Sequence, residues 1–530
     1  MTVEPAYAAR SADPFLLRTS RALPQPAQRT GRLIVVSNRV ALPDQSQAGG
    51  LGQALRALLA ERGGIWVGWS GRTSAIEDVH SEHVGRVEYR TLDFPAEEFD
   101  EYYKEYANRA LWPLLHGRTE LVAHSERARR AYLAINARFA DRLAAELNPT
   151  DSVWVQDYHL MPLARLLRDR GVRSRIGFFL HTPMPALEVF ARMPDHRELL
   201  EALATYDVVG VQTEPDKAAL QHSLLEVRGG AAVGADLLSL GNGHRITVKA
   251  FPIGVDVAAL EKLAERAVAE PAVEALRESL GERALMIGVD RLDYSKGLPE
   301  RIAAVQRLLD QAPEWHRRLT FLQIAPESRA DVPEYRRLSR SVQRRVGRIN
   351  GRHGDESWTP LRYVNRTYSQ AELAGFYRIA KVGVVTPLRD GMNLVAKEFI
   401  ACQNAADPGV LVLSQFAGAA RELDSALQVD PFDVHQCADA LQRALEMPLG
   451  ERRERWQSAM HSLRASTIHD WGRRFMAALE VAPKPAAVAT TLGQRVARLA
   501  RLQQHVRAAE LRGSWIDTTD TGLASAMVPE

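Results

Sequence analysis

From about residue 32 to residue 480, short apolar, β-branched runs alternate with longer amphipathic stretches. The runs that predict strands are 33–37 (Leu-Ile-Val-Val-Ser), 65–69, 153–155, 176–180, 207–211, 246–251, 285–289, 319–324, 382–386 and 410–413. Several are apolar at nearly every position, as expected of parallel strands covered by helices on both faces. Helical periodicity fills the gaps at 52–62, 125–147, 160–170, 196–205, 256–280, 299–312, 331–347, 393–404 and 432–448. A repeated strand–helix order predicts doubly wound α/β sheets. One such sheet rarely needs more than half of this length, so two are expected.

The boundary falls at Phe251-Pro252-Ile253-Gly254-Val255-Asp256, where a strand ends and a long polar helix starts, before a fresh strand at 285. The expected organisation is a lead-in over 1–30, a first Rossmann-like domain over 31–254, a second over 255–482, and a terminal segment over 483–530. The last helix of the series, about 452–480, can cross back onto the first domain. Pro5, Pro14, Pro24 and Pro26 break up the lead-in, which reads as disordered. Beyond Pro483-Lys484-Pro485, Leu492, Val496, Leu499, Gln503, Val506 and Leu511 trace one side of a helix also carrying Arg495, Arg498, Arg501, Arg507 and Arg512. It reads as a peripheral helix docked by its leucines, with a basic interaction arm as the sharper alternative. The tail after Gly513 reads as disordered.

Composition narrows the class. In 530 residues, 46% hydrophobic and 25% charged, the net charge is only +3, so nucleic acid is not an expected partner. Any positive field must be local, built from arginines converging on a site. The two cysteines, Cys402 and Cys437, fall in predicted helices and supply no disulfide framework, which makes the cytoplasm the expected compartment. No apolar run approaches the ~18 residues of a membrane span, and the first thirty residues lack the continuous apolar core of a secretory signal.

Open parallel sheets bind ligands beyond the carboxyl ends of their strands. After the first strand come Ser37-Asn38-Arg39, and Gly49-Gly50-Leu51-Gly52 opens the first helix. Glycines there admit an anion to backbone N–H groups, although the spacing is not the dinucleotide fingerprint. After 285–289 comes Asp290-Arg291-Leu292-Asp293-Tyr294-Ser295-Lys296-Gly297, a forked donor and a compact ammonium at a helix start. That pair suits a pyrophosphate, or in isolation a surface loop bridged through Asp290 and Asp293. After 382–386 comes Thr386 through Glu398, with a helix beginning near Asn393 and Glu398 one turn inside.

Taken with Gln156-Asp157-Tyr158-His159-Leu160, Gly177-Phe178-Phe179-Leu180-His181, Leu111-Trp112-Pro113 and Arg348-Ile349-Asn350-Gly351, these strings resemble the trehalose-6-phosphate synthases over about 32–480. The resemblance implies a GT-B architecture, two facing Rossmann-like domains with a cleft between them. It also implies transfer of glucose from UDP-glucose to glucose 6-phosphate with retention, giving α,α-trehalose 6-phosphate and UDP. On the donor side it implies Arg291 and Lys296 on the diphosphate with Gly49 and Gly50 closing from the other domain. The backbone of Gly391, Met392, Asn393, Leu394, Val395, Ala396 and Lys397 would face the same group. Glu398 would take the ribose, Tyr368 would lie beside the uracil, and Asp390 and His181 would contact the donor glucose. Arg39, Tyr103 and Arg329 would hold the acceptor phosphate, and Trp112 and Asp157 the acceptor sugar. The catalytic set implied is His181, Asp390, Arg291 and Lys296.

No cofactor and no metal are expected, because no two aspartates stand two residues apart as in a DxD metal motif. The resemblance further implies a homo-oligomer, a tetramer. His181-Thr182-Pro183-Met184-Pro185 departs from the commoner His-Ile-Pro-Phe-Pro, which reshapes a pocket wall but leaves the charged contacts in place. A sister transferase with another phosphorylated acceptor, and a catalytically inactive regulatory homologue, are the competing readings.

Overall fold

A computed structural model describes residues 31–42, 50–75, 79–329 and 332–483. The lead-in, Gly49 and the basic terminal helix of the sequence reading lie outside the described residues.

The first sheet has ten strands: β1 (Leu33–Arg39), β2 (Gly64–Thr73), β3 (Val79–Val84), β4 (Val87–Phe94), β5 (Ser152–Gln156), β6 (Arg175–Phe179), β7 (Val208–Val211), β8 (Gly230–Ala232), β9 (Leu237–Leu240) and β10 (Arg245–Ala250). Their spatial order is β3-β4-β2-β1-β5-β6-β7-β10-β9-β8. The centre is parallel, as the apolar runs predict, but β3 pairs antiparallel with β4, and β9 with both β10 and β8. β3 and β8 escaped the sequence reading because they face solvent and carry no long apolar run, β3 reading Val-His-Ser-Glu-His-Val, and β9, Leu-Leu-Ser-Leu, because it is only four residues long.

The second sheet has six strands: β11 (Ala284–Val289), β12 (Leu319–Ile324), β13 (Leu361–Val364), β14 (Val382–Val385), β15 (Val410–Ser414) and β16 (Leu427–Val429). They run parallel in the order β13-β12-β11-β14-β15-β16. Counted from β11 this is 3-2-1-4-5-6, with the reversal between β11 and β14, where a doubly wound sheet opens its ligand crevice. In the first sheet the corresponding reversal lies between β1 and β5.

Several helices differ from expectation: Glu214–Arg228 and Gln370–Ile379 were not predicted, and the helix expected over about 452–480 is two, Leu449–Ala465 and Ile468–Val481. The single helix expected over 256–280 is two, Val257–Ala267 and Pro271–Leu280, because Pro271 cannot continue a helix but is well placed to begin one. The stretch 96–115, for which no helix was predicted, is helical throughout, and its middle, Asp100–Leu111, is wound as a π-helix. Widening the turn there places Tyr102, Tyr106 and Leu111 in the core.

The last helix, Ile468–Val481, packs against β6 and β7 of the first sheet. Phe475 stacks on Trp154 at 4.3 Å and Trp471 lies 4.8 Å from the same ring. The chain therefore passes between the two sheets twice, at 251–256 and again at 466–468. Cys402 and Cys437 are free and buried in helices. Among the described residues no helix is long and apolar enough to cross a membrane.

Candidate active site

The loops after β11 and β14 meet across the switch point. In the first, both aspartates are structural braces rather than surface partners. Asp290 is buried against Arg301, whose guanidinium also donates to Gln323 Oε1 at 3.0 Å, Thr386 Oγ1 at 3.0 Å and the Lys296 carbonyl at 3.2 Å. Asp293 accepts from Ser295 N–H at 3.0 Å and Ser295 Oγ at 2.9 Å, which sets the turn Tyr294–Lys296. This bracing presents Lys296 to the cleft, where its ammonium pairs with Asp390 from the β14 loop. Asn393 Nδ2 donates to the same Asp390 oxygen at 3.0 Å.

Asn393 caps the helix Leu394–Cys402 through Ala396 N–H. The other amides of that first turn have no partner within the helix and carry its positive end. Lys397 presents only its main chain there, for its ammonium turns away to the Ile253 carbonyl at 2.7 Å and to Glu422. Loss of hydration on burial pushes the Glu398 carboxyl up to about 7, with no cation among the described residues to offset it. Tyr368 is half-buried, with its ring 5.0 Å from Phe376 and the Arg366 guanidinium 4.4 Å above it.

Two glycines let the halves touch at this point. A Cβ on Gly391 would sit 2.0 Å from the His181 carbonyl oxygen, and one on Gly50 would sit 2.1 Å from a Leu394 methyl. A side chain at Gly391 would meet main chain and hold the walls apart, whereas one at Gly50 would have to push the end of the Leu394 side chain aside.

A second cluster centres on Arg329. Tyr103, Lys104, Asn108, Arg291, Ser328, Arg329 and Val332 line a cleft of about 280 Å³. Arg329 reaches Asp293 at 3.4 Å and Tyr158 Oη at 3.4 Å, bonds Tyr335 Oη, and lies 4.4 Å above the Trp112 ring. Trp112 donates from Nε1 to Asp293 at 3.3 Å, an indole from one half bonded to a carboxylate of the other. Arg329, Arg291 and Lys296 together overcome the cost of burial and hold the Asp293 carboxyl well below the usual range. Arg291 is looser: its side chain is 44% exposed, 4.0 Å from Asp293 and 5.5 Å from the Trp112 ring.

Asp157 follows β5 and accepts the His181 N–H at 3.2 Å. Burial raises its carboxyl to about 6, against the pull of the Tyr158 and His181 amides and the two arginines. His181 is depressed to about 3 by burial and is therefore neutral. Its Nε2 donates to Gln156 Oε1 at 3.0 Å, and Gln212 Nε2 donates to its Nδ1 at 3.4 Å. Among the described residues only four non-glycine positions have positive φ, and Asp157, Arg329 and Asn393 are three of them. Such concentration of backbone strain is typical of functional sites.

Of the residues singled out in the sequence, the structure brings together Lys296 with Asp390 and Asn393, Gly391 with His181, Gly50 with Leu394, and Arg291, Arg329, Trp112 and Tyr103 around one cleft. Arg39 stands outside the lining of that cleft, exposed, with its guanidinium 5.6 Å from the Trp69 ring. A row of rings joins the two: Trp69 to Phe99 at 3.9 Å, then Phe99 to Tyr103 at 5.4 Å. Sequence reasoning missed Asn108, Ser328 and Tyr335 as neighbours of Arg329, and Gln156 and Gln212 as partners of His181. Gln156 stood inside a quoted string without a role, and the others carried no local signal of their own. Among the described residues no group of three or more His, Cys, Asp or Glu is arranged to hold a metal ion.

Two facing doubly wound sheets, with cations from the switch-point loops gathered at the cleft between them, define a GT-B glycosyltransferase. The pattern of Glycosyltransferase family 20 matches residues 23–481, and the chain belongs to that family. It is 46% identical over 452 residues to the trehalose-6-phosphate synthase of Sinorhizobium fredii, covering 84% of this chain and 97% of the relative. A solved structure of the UDP-forming α,α-trehalose-phosphate synthase from Burkholderia xenovorans, in complex with glucose-6-phosphate, superposes with a TM-score of 0.82. It is 43% identical and covers 85% of this chain and all of that one. A structure from E. coli bound with UDP-2-fluoro glucose superposes equally well, at 41% identity over 86% of this chain and all of its own.

Proposed function

We infer that the chain transfers glucose from UDP-glucose to glucose 6-phosphate with retention of configuration, releasing UDP and α,α-trehalose 6-phosphate. The observation that carries this reading is the pair of cationic centres in one cleft, Lys296 beside a free helix start and Arg329 beside Tyr103, each suited to a phosphate. The relatives crystallised with glucose-6-phosphate and with a UDP-glucose analogue support the same pair of substrates.

In this reading the second domain, 255–482, holds the donor. Lys296, Arg291 and the first-turn amides of Leu394–Cys402 take the diphosphate, Glu398 the ribose diol, and Tyr368 flanks the base. The first domain, 31–254, offers Tyr103, Trp112 and Asp157 to the acceptor, with Arg329 reaching across from the second domain to its phosphate and Arg39 approaching from the rim. As the bond between the glucosyl carbon and the diphosphate oxygen breaks, negative charge grows on UDP, where the fixed cations and amides stabilise it. The acceptor hydroxyl attacks from the same face and gives its proton to the departing phosphate oxygen, so no protein nucleophile is required. Asp390 and the neutral His181 orient the donor sugar, and closure of the two domains keeps water from the glucosyl carbon.

The assembly we propose is a homo-oligomer, a tetramer, and the compartment is the cytoplasm, where two buried free thiols stay reduced. Sedimentation of the purified chain tests the first. The activity is tested by UDP release from UDP-glucose, which is expected only when glucose 6-phosphate is added. Equal release with glycerol 3-phosphate would contradict the acceptor assignment.

A further inference from the structure

The first crossing between the domains carries an arrangement that the reaction above leaves unused. Ile253 lies in that crossing, and buried polar side chains hold its main chain on both sides. Its N–H donates to Gln212 Oε1 at 3.1 Å, and its carbonyl accepts from Lys397 Nζ at 2.7 Å. Gln212 belongs to the first domain, just after β7, and its amide nitrogen is the one that meets His181 Nδ1. Lys397 belongs to the second domain, on the helix whose start faces the donor, one residue before Glu398. The Lys397 side chain is fully buried, with Glu422 as its only carboxylate partner among the described residues.

Burying an ammonium costs more than filling the same space with a methionine. Here that cost brings a hydrogen bond to one particular main-chain carbonyl. The location explains why this carbonyl matters. A Cβ on Gly254 would lie 2.1 Å from the Ser466 carbonyl oxygen, and Ile468 N–H donates to the Val255 carbonyl at 3.3 Å. The two crossings therefore run side by side, and Ile253 sits where the halves must turn against one another. A few residues at such a point absorb the motion of domain closure.

We propose that Gln212 and Lys397 are positioning residues that grip Ile253 from opposite domains, fixing His181 on one wall of the cleft relative to the donor-facing helix start on the other. The proposal rests on the reading of that helix and of His181 as the donor site. Neither side chain touches substrate; both act through a single residue of the hinge.

The test compares Gln212→Leu, Lys397→Met and the double variant of the full chain, read by UDP release at saturating substrates. Each single change is expected to lower kcat about tenfold. Because both loosen the same residue, the double is expected to lose little more, giving a coupling of about fivefold or greater between side chains that do not touch. Losses that simply multiply overturn the proposal. Lys397→Met also leaves Glu422 unpaired, so Lys397→Met/Glu422→Gln separates positioning from stability. Its melting temperature is expected to return toward that of the wild type while kcat stays low, because the Ile253 carbonyl still lacks its donor. Recovery of kcat together with stability overturns the proposal. Should Lys397→Met not fold alone, the same cycle is run in the Glu422→Gln background. Wild-type chain without UDP release dependent on glucose 6-phosphate overturns the donor-site reading and this proposal with it, whereas active wild type with multiplicative losses overturns this proposal alone.

Discussion

Arg329 and Lys296 are the two cations we propose for the acceptor phosphate and the diphosphate, and the chain supports them differently. Arg329 is 7% exposed, lies flat on Trp112, and is tied to Asp293, Tyr335 and Tyr158. Lys296 has one carboxylate partner, Asp390, which it shares with Asn393. The first is a rigid fork whose direction is fixed before any ligand arrives. The second is a compact charge whose one ion-pair partner among the described residues, Asp390, is also the residue we propose for the donor sugar. The difference teaches how the two phosphates are used. The acceptor phosphate is a handle that stays unchanged, so a preorganised fork suits it. In the proposed reaction the diphosphate gains charge, so a Lys296 that serves it would move from Asp390 to the leaving oxygen as that charge appears.

The largest expected effect breaks the mobile side. Lys296→Ala should lower turnover about a hundredfold or more with little change in acceptor KM, measured by steady-state UDP release. An unchanged rate would remove Lys296 from the mechanism. Arg329→Ala should instead raise the cost of acceptor binding by about 2 kcal/mol, some thirtyfold in kcat/KM for glucose 6-phosphate, and should lower the melting temperature by leaving Asp293 undercompensated. An equal loss with unphosphorylated glucose would contradict its role.

A pH profile sharpens the comparison further. The Glu398 carboxyl, raised to about 7 by burial, holds a proton below that pH and is a carboxylate above it. Only the carboxylate accepts both hydroxyls of a ribose diol. The KM for UDP-glucose should therefore fall by about threefold from pH 6 to pH 8, and Glu398→Gln should flatten that dependence. Glu398→Gln should leave the pH dependence of the KM for glucose 6-phosphate, which Asp157 and the acceptor's own phosphate set near pH 6, unchanged. The smallest effect is expected at the rim: Arg39→Ala, removing an exposed guanidinium, should change acceptor KM by about threefold or less.

Ten of the parallel strands and the loops after β11 and β14 were legible because each is written as a local pattern, an apolar run followed by a polar, glycine-bearing turn, whereas the parallel β4, β13 and β16 were not read. The π-helical stretch that carries Tyr103 was not, because its winding is set by where Tyr102, Tyr106 and Leu111 pack rather than by a 3.6-residue period. The bracing by Asp290 and Asp293 was not legible, and surface bridging stood as the alternative for that loop, because their partners, Arg301 and Arg329, stand 11 and 36 residues away. The grip on Ile253 was hidden for the same reason, since Gln212 and Lys397 lie 41 and 144 residues from it. Local chemistry is written along the chain, while its bracing depends on which loops the strand order brings together.

The most direct test of a cation that changes partners is a structure of the full chain with UDP bound. The account predicts Lys296 Nζ within about 3 Å of a diphosphate oxygen, with Asp390 released from it. Lys296 still paired to Asp390, with both phosphates beyond its reach, would contradict it.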